Sequence, residues 1–384
     1  MSKLNVAIVT ITDGCNYGNR LQNYALQTAL QKLDVESETL KRKNYHDDLR
    51  LKIKTKCKTF VKMVLGMDRD APKRERKRKF DAFNTQYMHF SRYTLQKNRS
   101  PQRLSNKYDA FFVGSDQVWN PMLRLVREDI DNYFAAFASK EKKFSYAASF
   151  GISAIPDQYK DYYREKLNSF ARISVREEQG AEIVRNLCSC PAESVCDPTL
   201  LLTTEEWDAI MEQPKWEESA CRYLVTYILG EIPNETREQI NHYAKTHNLK
   251  IISLQSEFVN SKKIENSDSF AASPQEFLWL ISHSHCVLTD SFHACVFSIL
   301  YRRPFQVFDR KAFEANNEMG SRIESLLSKF ALQNRRSHGT LEELLLGELQ
   351  DDGQIETVLR KEREKGYSFL QECLQSLSQS EAKL

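Results

Sequence analysis

Short runs of β-branched and apolar residues alternate with longer segments in which apolar residues recur at helical spacing. In the first half of the chain such runs lie at 6–11, 110–113, 143–148 and 173–175. The run at 6–11 passes through a polar loop into a segment whose apolar residues repeat every three or four positions between 21 and 30, as in an amphipathic helix. Strands that alternate with helices predict a mostly parallel α/β sheet.

The same alternation continues in the second half. Predicted strands lie at 223–228, 250–253, 285–289 and 304–308, and the helices between them begin near Thr236, Pro274 and Ser291. Between the halves, Asp197 and Pro198 form a turn signal. We therefore predict an N-terminal α/β domain over 1–195, a C-terminal α/β domain over 196–350, and a closing helix over 351–384 that packs back on the domains.

Composition agrees with two folded domains. The chain has 384 residues, of which 41% are apolar and 28% charged, and this length is enough for two cores. The N-terminus lacks the cationic and apolar regions of a secretory signal, and no apolar stretch approaches the roughly 20 residues that a membrane span requires. These features predict a soluble, cytoplasmic protein.

Nine cysteines are scattered through the chain, and their odd number and wide spacing predict reduced thiols. Only Cys188, Cys190 and Cys196 cluster. Their spacing fits no common zinc pattern, and no His lies nearby. We expect buried thiols and no metal site.

The net charge of +3 hides a basic segment. Residues 41–99 hold 19 Lys or Arg against 6 Asp or Glu, so we assign a basic helical insert to about 41–100. Its centre, residues 73–79, precedes Phe80, Phe83 and Tyr87, whose spacing indicates a helix with aromatics beneath a basic face. Such a face is either solvated or binds an anionic membrane surface; no signature of a nucleic-acid-binding fold accompanies it.

Candidate ligand contacts lie where strands end, because ligands of parallel sheets bind beyond the carboxyl ends of the strands. The first loop and the helix start that follows supply Asn16, Tyr17, Asn19 and Gln22. These residues are candidates for substrate binding. The alternative is turn and capping chemistry, for which Asn and Gly are common on backbone grounds alone.

The loop after the run at 110–113 supplies Ser115, Asp116, Gln117 and Trp119. A carboxylate and an amide bind hydroxyls, and an indole can stack on a pyranose face. This combination favours a sugar, although a lone Trp is more often part of a core.

The best catalytic candidate follows the run at 285–289. Asp290, Ser291 and His293 come where strand turns into helix, and a His at a helix start over a sheet end can act as an acid or base near neutral pH. Arg176 and Arg322 would supply fixed positive charge for a carboxylate or phosphate.

Taken together, five motifs resemble the polysaccharide pyruvyl transferase family, in the family's order and between about residues 5 and 327. They are Asn16 to Gln27, Gly114 to Trp119, Ser174 to Glu177, Asp197 to Thr199, and Asp290 to His293. The resemblance implies two Rossmann-like domains of the glycosyltransferase B type with a cleft between them. It also implies transfer of the enolpyruvyl carbons of phosphoenolpyruvate onto two sugar hydroxyls as a ketal, with release of phosphate.

By this resemblance, the C-terminal domain is the phosphoenolpyruvate side and the N-terminal domain the acceptor side. His293 would be the general acid beside Ser291, and Arg176 would hold the carboxylate or phosphate. Residue chemistry, more than the family, assigns Asp116 as the base for the acceptor hydroxyl and Trp119 to the sugar face. No cofactor is implied, and the acceptor would be a sugar or lipid-linked oligosaccharide.

Two other functions stay open at this point. One is a glycosyltransferase of the same fold that uses a nucleotide sugar. The other is a sugar-binding subunit that keeps the motifs without turnover.

Overall fold

The computed structural model of the protein describes residues 3–42, 71–96, 102–188, 190–215, 222–256, 264, 267–309, 321–337, 340–346, 349 and 353–381. Within these ranges the strands form one sheet of seven and one of six strands. Every strand pair described there is parallel. The predicted fold class, two Rossmann-like α/β domains of the glycosyltransferase B type, is confirmed.

The first sheet has the order β3-β2-β1-β4-β5-β6-β7. Its strands are β1 (Asn5–Val9), β2 (Glu36–Arg42), β3 (Phe90–Leu95), β4 (Ala110–Val113), β5 (Lys143–Ala148), β6 (Arg172–Val175) and β7 (Ala192–Ser194). The helices of this half are α1 (Tyr17–Lys32), α2 (Ala71–Tyr87), α3 (Gln102–Ser105), α4 (Arg124–Arg127), α5 (Ile130–Tyr133), α6 (Asp157–Asn168) and α7 (Glu178–Leu187). Strands β4 and β5 are buried at every position, which is why their sequences read as continuous apolar runs.

The second sheet has the order β10-β9-β8-β11-β12-β13. Its strands are β8 (Tyr223–Tyr227), β9 (Lys250–Leu254), β10 (Ser267–Phe270), β11 (Val287–Thr289), β12 (Phe305–Phe308) and β13 (Arg336–Ser337). The helices are α8 (Thr204–Asp208), α9 (Asn234–Thr246), α10 (Pro274–Ser282), α11 (Phe292–Leu300), α12 (Ser321–Lys329) and α13 (Gln354–Glu381). Helix α10 begins with a capping box, in which Ser273 and Glu276 bond each other's backbone N–H.

Both sheets reverse their strand order beside their first strand. Strand β1 lies between β2 and β4, and β8 lies between β9 and β11. The connections from such neighbouring strands leave toward opposite faces of the sheet, so a crevice opens between them at the carboxyl ends. The fold thus provides one crevice in each domain.

The basic helix α2 is part of the contact between the domains. Arg76 is buried, donates to the carbonyl of Cys15, and lies over the rings of Tyr17 and Phe80. Lys79 Nζ donates to both carboxylate oxygens of Glu276 in the second domain, at 3.0 and 2.7 Å. The helix is therefore not a uniformly solvated basic face, because two of its cations bond inward.

Helix α13 returns to the first domain. The Arg363 side chain donates to the carbonyl of Leu200, and the ring of Phe369 lies 6.2 Å from that of Tyr146. Arg172 of β6 pairs with Glu372. Among the helices in the described ranges, none is both long and apolar enough to cross a membrane.

Candidate active site

The two domains meet where α1 begins and where α11 begins. Gly18, in the first turn of α1, faces the side chain of His293, the second residue of α11. A Cβ atom added to Gly18 would lie 2.0 Å from Nδ1 and 2.2 Å from Cγ of His293. Only a residue without a side chain fits there, so the close approach of the imidazole to the helix depends on this glycine.

Asp197 is the centre of the hydrogen-bond network at this junction. Its Oδ2 accepts from Arg176 Nη1 at 2.9 Å and lies 3.0 Å from Ser115 Oγ. Its Oδ1 accepts from the N–H and the hydroxyl of Thr199, at 3.0 and 2.7 Å. Although burial acts to raise the pKa of Asp197, His293, Arg176 and the Thr199 N–H together hold it well below its ordinary value. Asp197 is therefore a buried carboxylate at neutral pH.

The imidazole of His293 lies beside this carboxylate. Nε2 of His293 is 3.6 Å from Oδ2 of Asp197, beyond hydrogen-bond distance. His293 is 7% exposed, and its Nε2 has no hydrogen-bond partner among the described residues. The negative charge of Asp197 attracts a protonated ring, while Nε2 stays available to a ligand.

Asp116 brings a second carboxylate to the junction. Its Oδ1 lies 3.6 Å from Arg176 Nη2, and its Oδ2 accepts from Asn19 Nδ2 at 3.3 Å. Burial acts to raise the pKa of Asp116, but the positive charges of Arg176, His293 and Arg322 outweigh it and keep the pKa below its ordinary value. Five of the predicted site residues therefore interact in one cluster: Asn19, Asp116, Arg176, His293 and Arg322.

Hydrogen bonds with Gln22 and Thr10 position the loop that carries Asp116. Gln22 Nε2 donates to Thr10 Oγ1 and to the carbonyl of Asn19, both at 3.1 Å, and its Oε1 accepts from the Ser115 N–H at 3.2 Å. Thr10 Oγ1 in turn donates to the Ser115 carbonyl. Gln22 and Ser115 are fully buried. In this structure the hydrogen bonds of these two residues position the loop that carries Asp116.

The Asp290 carboxylate joins the loop before α11 to the loop after β8 in the second domain. Its two carboxylate oxygens accept from the backbone N–H groups of Leu229 and Gly230, each at 2.6 Å. Ser291 is the N-cap of α11, and its N–H donates to Thr289 Oγ1. These bonds fix the start of the helix that carries His293.

Two residues that were predicted to contact the sugar or donor, Trp119 and Tyr17, have buried rings in this structure. Trp119 is fully buried, stacks on Phe134, and donates its indole N–H to the carbonyl of Tyr133. Tyr17 is also fully buried and stacks on Phe277 of the second domain at 4.7 Å. Each flanking loop is polar, but Trp119 is buried in the core of the first domain and Tyr17 in the contact between the domains.

Asn16 and Gln117 lie at the edge of the site and are partly exposed. Asn16 caps α1, since its Oδ1 accepts from the N–H of Asn19 at 3.0 Å. Gln117 Oε1 accepts from Asn120 Nδ2 at 2.7 Å. Local turn and capping chemistry, the alternative weighed for Asn16, is thus observed for both residues.

Three residues of the junction escaped the selection of site residues from sequence. Asp197 was interpreted as a turn between domains, although its motif was part of the family resemblance. Glu177 is fully buried, and its Oε1 accepts from Ser149 Oγ and from the N–H groups of Phe150 and Gly151. Gly18 could be noticed in the sequence only as a member of the first motif. The side chain that it faces, His293, belongs to the other domain, so the sequence did not indicate the contact.

The cluster contains buried donors without a hydrogen-bond acceptor. Nε and Nη2 of Arg176 lack a hydrogen-bond partner in the part of the chain that the structure describes, as does Nε2 of His293. The Arg176 side chain is only 2% exposed. A buried donor without an acceptor costs roughly 1–3 kcal/mol, so these donors are suited to an anionic ligand. No group of three or more His, Cys, Asp or Glu in the described ranges could hold a metal ion.

Several solved structures have a similar course of the chain at low sequence identity. UDP-GlcNAc 2-epimerase from Neisseria meningitidis, bound to UDP-GlcNAc, is 10% identical with a TM-score of 0.46 and covers 97% of this chain and 99% of its own. A putative UDP-N-acetylglucosamine 2-epimerase from Listeria monocytogenes is 9% identical with a TM-score of 0.48, covering 94% and 95%. ADP-heptose LPS heptosyltransferase II of E. coli is 10% identical with a TM-score of 0.38, covering 96% and 99%.

No curated protein gives a significant match to the sequence. The family described as polysaccharide pyruvyl transferase matches residues 16–311, well over half of the 384 residues. That range contains Asn19, Asp116, Arg176, Asp197 and His293, the residues that converge at the domain junction. The chain therefore belongs to the polysaccharide pyruvyl transferase family.

Proposed function

We propose that the protein transfers the pyruvyl group of phosphoenolpyruvate to two hydroxyls of a sugar in a surface or exopolysaccharide precursor. The product is a ketal, and phosphate is released. The observation that carries the proposal is the set of donors on Arg176 and His293 that lack a hydrogen-bond acceptor among the described residues, buried at the junction of the domains. Family membership supports polysaccharide pyruvylation, and the donors explain how an anionic substrate would be held.

Phosphoenolpyruvate carries a carboxylate and a phosphate on the same carbon atom, so it needs several cationic or N–H donors. Arg176 offers Nε and Nη2, and Arg322 adds a second positive charge that acts on the same carboxylate, Asp116. Helices α1 and α11 both begin at this junction, and the N-terminus of a helix favours an anion. Together these groups offer N–H donors and positive charge to a bound anion.

The chemistry assigns complementary roles to His293 and Asp116. A protonated His293 gives its proton to the methylene carbon of the enol, which becomes the methyl group and leaves the adjacent carbon electrophilic. A sugar hydroxyl adds to that carbon and passes its proton to Asp116. The bond from that carbon to the phosphate oxygen then breaks, and phosphate leaves with the bonding electrons. The second hydroxyl adds to the resulting oxocarbenium carbon and passes its proton to the now neutral His293, which closes the ketal.

Asp116 is a weak base, because its pKa lies below the ordinary value. A weak base is sufficient here, since the hydroxyl becomes strongly acidic once its oxygen attacks the electrophilic carbon. Asn19, which donates to Asp116 Oδ2, keeps the carboxylate oriented. We infer that Asp197 acts through Arg176 and His293 and does not touch the substrate.

Phosphoenolpyruvate is expected to raise the melting temperature of the protein, whereas UDP-GlcNAc is not. A ligand that binds only the native state stabilises it by mass action, by about 2.7 kcal/mol at 100 times its Kd. Differential scanning fluorimetry with each ligand measures the two shifts. A shift with UDP-GlcNAc equal to or larger than that with phosphoenolpyruvate would contradict the proposal and favour the nucleotide-sugar glycosyltransferase.

Arg322→Gln provides the matched test of where the donor binds. This variant should lose most of the shift with phosphoenolpyruvate, while Arg336→Gln should keep it, because Arg336 pairs with Asp309 and Glu324.

Isotope tracing then tests the transfer itself. Carbon from labelled phosphoenolpyruvate should appear in the glycan product together with released phosphate, and a sugar-binding subunit without turnover would give neither.

The proposed acceptor is a sugar built on a lipid carrier at the cytoplasmic membrane face, so the proposal includes reversible contact with anionic lipid. Residues 43–70, the first part of the basic insert, lie outside the described residues. On α2 the outward cations are Lys73, Lys77 and Arg78. Each cation near an anionic surface contributes about 1 kcal/mol, and salt screens the attraction beyond about 8 Å.

The protein is therefore expected to cosediment with anionic but not with neutral vesicles at low salt. Changing Lys73, Lys77 and Arg78 to Gln should weaken this binding and leave activity on a soluble acceptor intact. Arg76 and Lys79 are kept, because Arg76 donates to the loop before α1 and Lys79 bonds to Glu276 of the second domain. The control changes three exposed cations of α13, Arg360, Lys361 and Lys365, to Gln. If both triple variants bind vesicles equally, α2 is not the membrane contact.

A further inference from the structure

Glu177 is a fully buried residue whose carboxylate bonds away from its own helix. It is the N-cap of α7, directly after Arg176, yet its side chain makes no capping bond to that helix. Its Oε1 instead accepts from Ser149 Oγ at 2.9 Å and from the N–H groups of Phe150 and Gly151 at 3.0 and 3.1 Å. Glu is almost never fully buried unless it is paired. The bonds of this carboxylate therefore fix the loop that follows β5.

The loop after β5 is bonded in turn to the loop that carries Asp116. The Ser149 N–H donates to the Asp116 carbonyl at 3.0 Å, and the Trp119 N–H donates to the Ser149 carbonyl at 3.2 Å. Backbone bonds thus join the two loops in both directions. Glu177 is connected to Asp116 through one intervening residue, Ser149.

The backbone of Asp116 depends on such support. Its φ angle is 68°, in the left-handed region that residues with a side chain seldom adopt. A conformation of this kind costs free energy and persists only where the surrounding structure holds it. The Ser149 N–H bonds the Asp116 carbonyl, and Asn19 Nδ2 bonds its carboxylate. A shift of the loop after β5 would therefore move the Asp116 carboxylate.

We propose that Glu177 is a positioning residue for pyruvyl transfer: it holds Asp116 in place through Ser149 and does not touch the substrate. This inference rests on the proposed function, in which Asp116 takes the proton of the first sugar hydroxyl. Arg176, which would bind the donor, has a different anchor. Its Nη1 lies 2.9 Å from Asp197 Oδ2, whereas its Nε lies 3.9 Å from Glu177 Oε2, beyond hydrogen-bond distance. A change at Glu177 should thus affect turnover more than donor binding.

Glu177→Gln tests the inference, because it keeps the shape of the side chain and an acceptor oxygen but removes the charge. Hydrogen bonds to a carboxylate are roughly twice as strong as those to a neutral acceptor, so the loop after β5 should be held less firmly. We expect kcat for phosphate release to fall about ten- to a hundredfold, since a displacement of about 1 Å can cost a hundredfold in rate. KM for phosphoenolpyruvate, and the melting-temperature shift that it causes, should stay close to the wild-type values.

Glu178→Gln is the matched control at the next position of the chain. Glu178 is exposed and pairs with Arg185, so this variant should keep the wild-type kcat. Hydrogen exchange followed by mass spectrometry measures the loop itself, independently of activity. The amides of Phe150 and Gly151 should exchange faster in Glu177→Gln than in Glu178→Gln.

The double variant Glu177→Gln/Asp116→Asn shows whether Glu177 acts through Asp116. Without the base, the position of the loop no longer affects the rate, so the double variant should be as active as Asp116→Asn alone. A further loss in the double variant, a normal kcat or unchanged amide exchange in Glu177→Gln, or a lost shift with phosphoenolpyruvate would overturn the inference. A wild-type protein that releases no phosphate from phosphoenolpyruvate would instead overturn the proposed function, and the inference with it.

Discussion

His293→Ala should lower turnover by at least about a hundredfold while the protein stays folded. A positioned general acid contributes roughly 10²–10⁴ to a rate, and the imidazole is the group at the junction that can give a proton to the enol carbon. Its Nε2 is free for that task in the described structure, 3.6 Å from the Asp197 carboxylate. Steady-state phosphate release with phosphoenolpyruvate and an acceptor glycan measures the effect.

His283→Ala is the matched control. His283 lies in the same domain, but it is exposed at the end of α10 and stacks on Trp279. We expect this variant to keep normal turnover. His293→Asn, which retains a polar side chain but cannot act as an acid, should be as impaired as His293→Ala. Near-normal turnover in both position-293 variants would make His293 a packing residue.

Gly18→Ala should nearly abolish activity, although it adds only a methyl group in a helix. Exchanging Gly for Ala inside a helix ordinarily stabilises it by about 1 kcal/mol. Here the new Cβ would lie 2.0 Å from Nδ1 and 2.7 Å from Cβ of His293, and overpacking of this kind costs about 1–3 kcal/mol. Either His293 rotates away or the domains move apart. A displacement of about 1 Å can cost a hundredfold in rate.

The double variant Gly18→Ala/His293→Ala distinguishes a clash from a general loss of stability. Removing the imidazole eliminates two of the three shortest contacts of the new methyl group, so the melting temperature of the double variant should exceed that of Gly18→Ala. Such non-additivity is expected of residues in contact. If Gly18→Ala is as active and stable as the wild type, the domains do not approach each other as described.

The two-domain α/β architecture could be predicted from sequence because it follows from local patterns. Fully buried strands such as β4, β5 and β8 read as apolar runs, and helices such as α10 and α11 begin at the positions that their capping signals and apolar spacing indicate. Strands with short or charged sequences were missed. Strand β10 is Ser-Asp-Ser-Phe and β13 has two residues, and both lie at sheet edges, where pairing with one neighbour needs little apolar sequence.

Motif residues likewise indicated where the site lies but not what each one does. The sequence alone determined that Asp116, Arg176 and His293 follow strands, and parallel strands bring such residues to one edge of a sheet. The sequence could not show that Trp119 is buried in a core while Asp116, in the same loop, lies at the site, because both residues follow the same strand. Burial of a side chain depends on elements that are distant in sequence, such as Phe134 and Phe170 around that indole.

Only the tertiary structure decided which residues of the two domains meet. Gly18 and His293 are 275 positions apart in the chain (293 − 18), and their contact exists because two sheets with the same reversal of strand order face each other. Asp197 became central for the same reason, since its partners Ser115, Arg176 and His293 come from three separate strand ends. Sequence patterns encode the faces of helices and strands, which repeat every few residues, whereas contacts between domains leave no periodic trace.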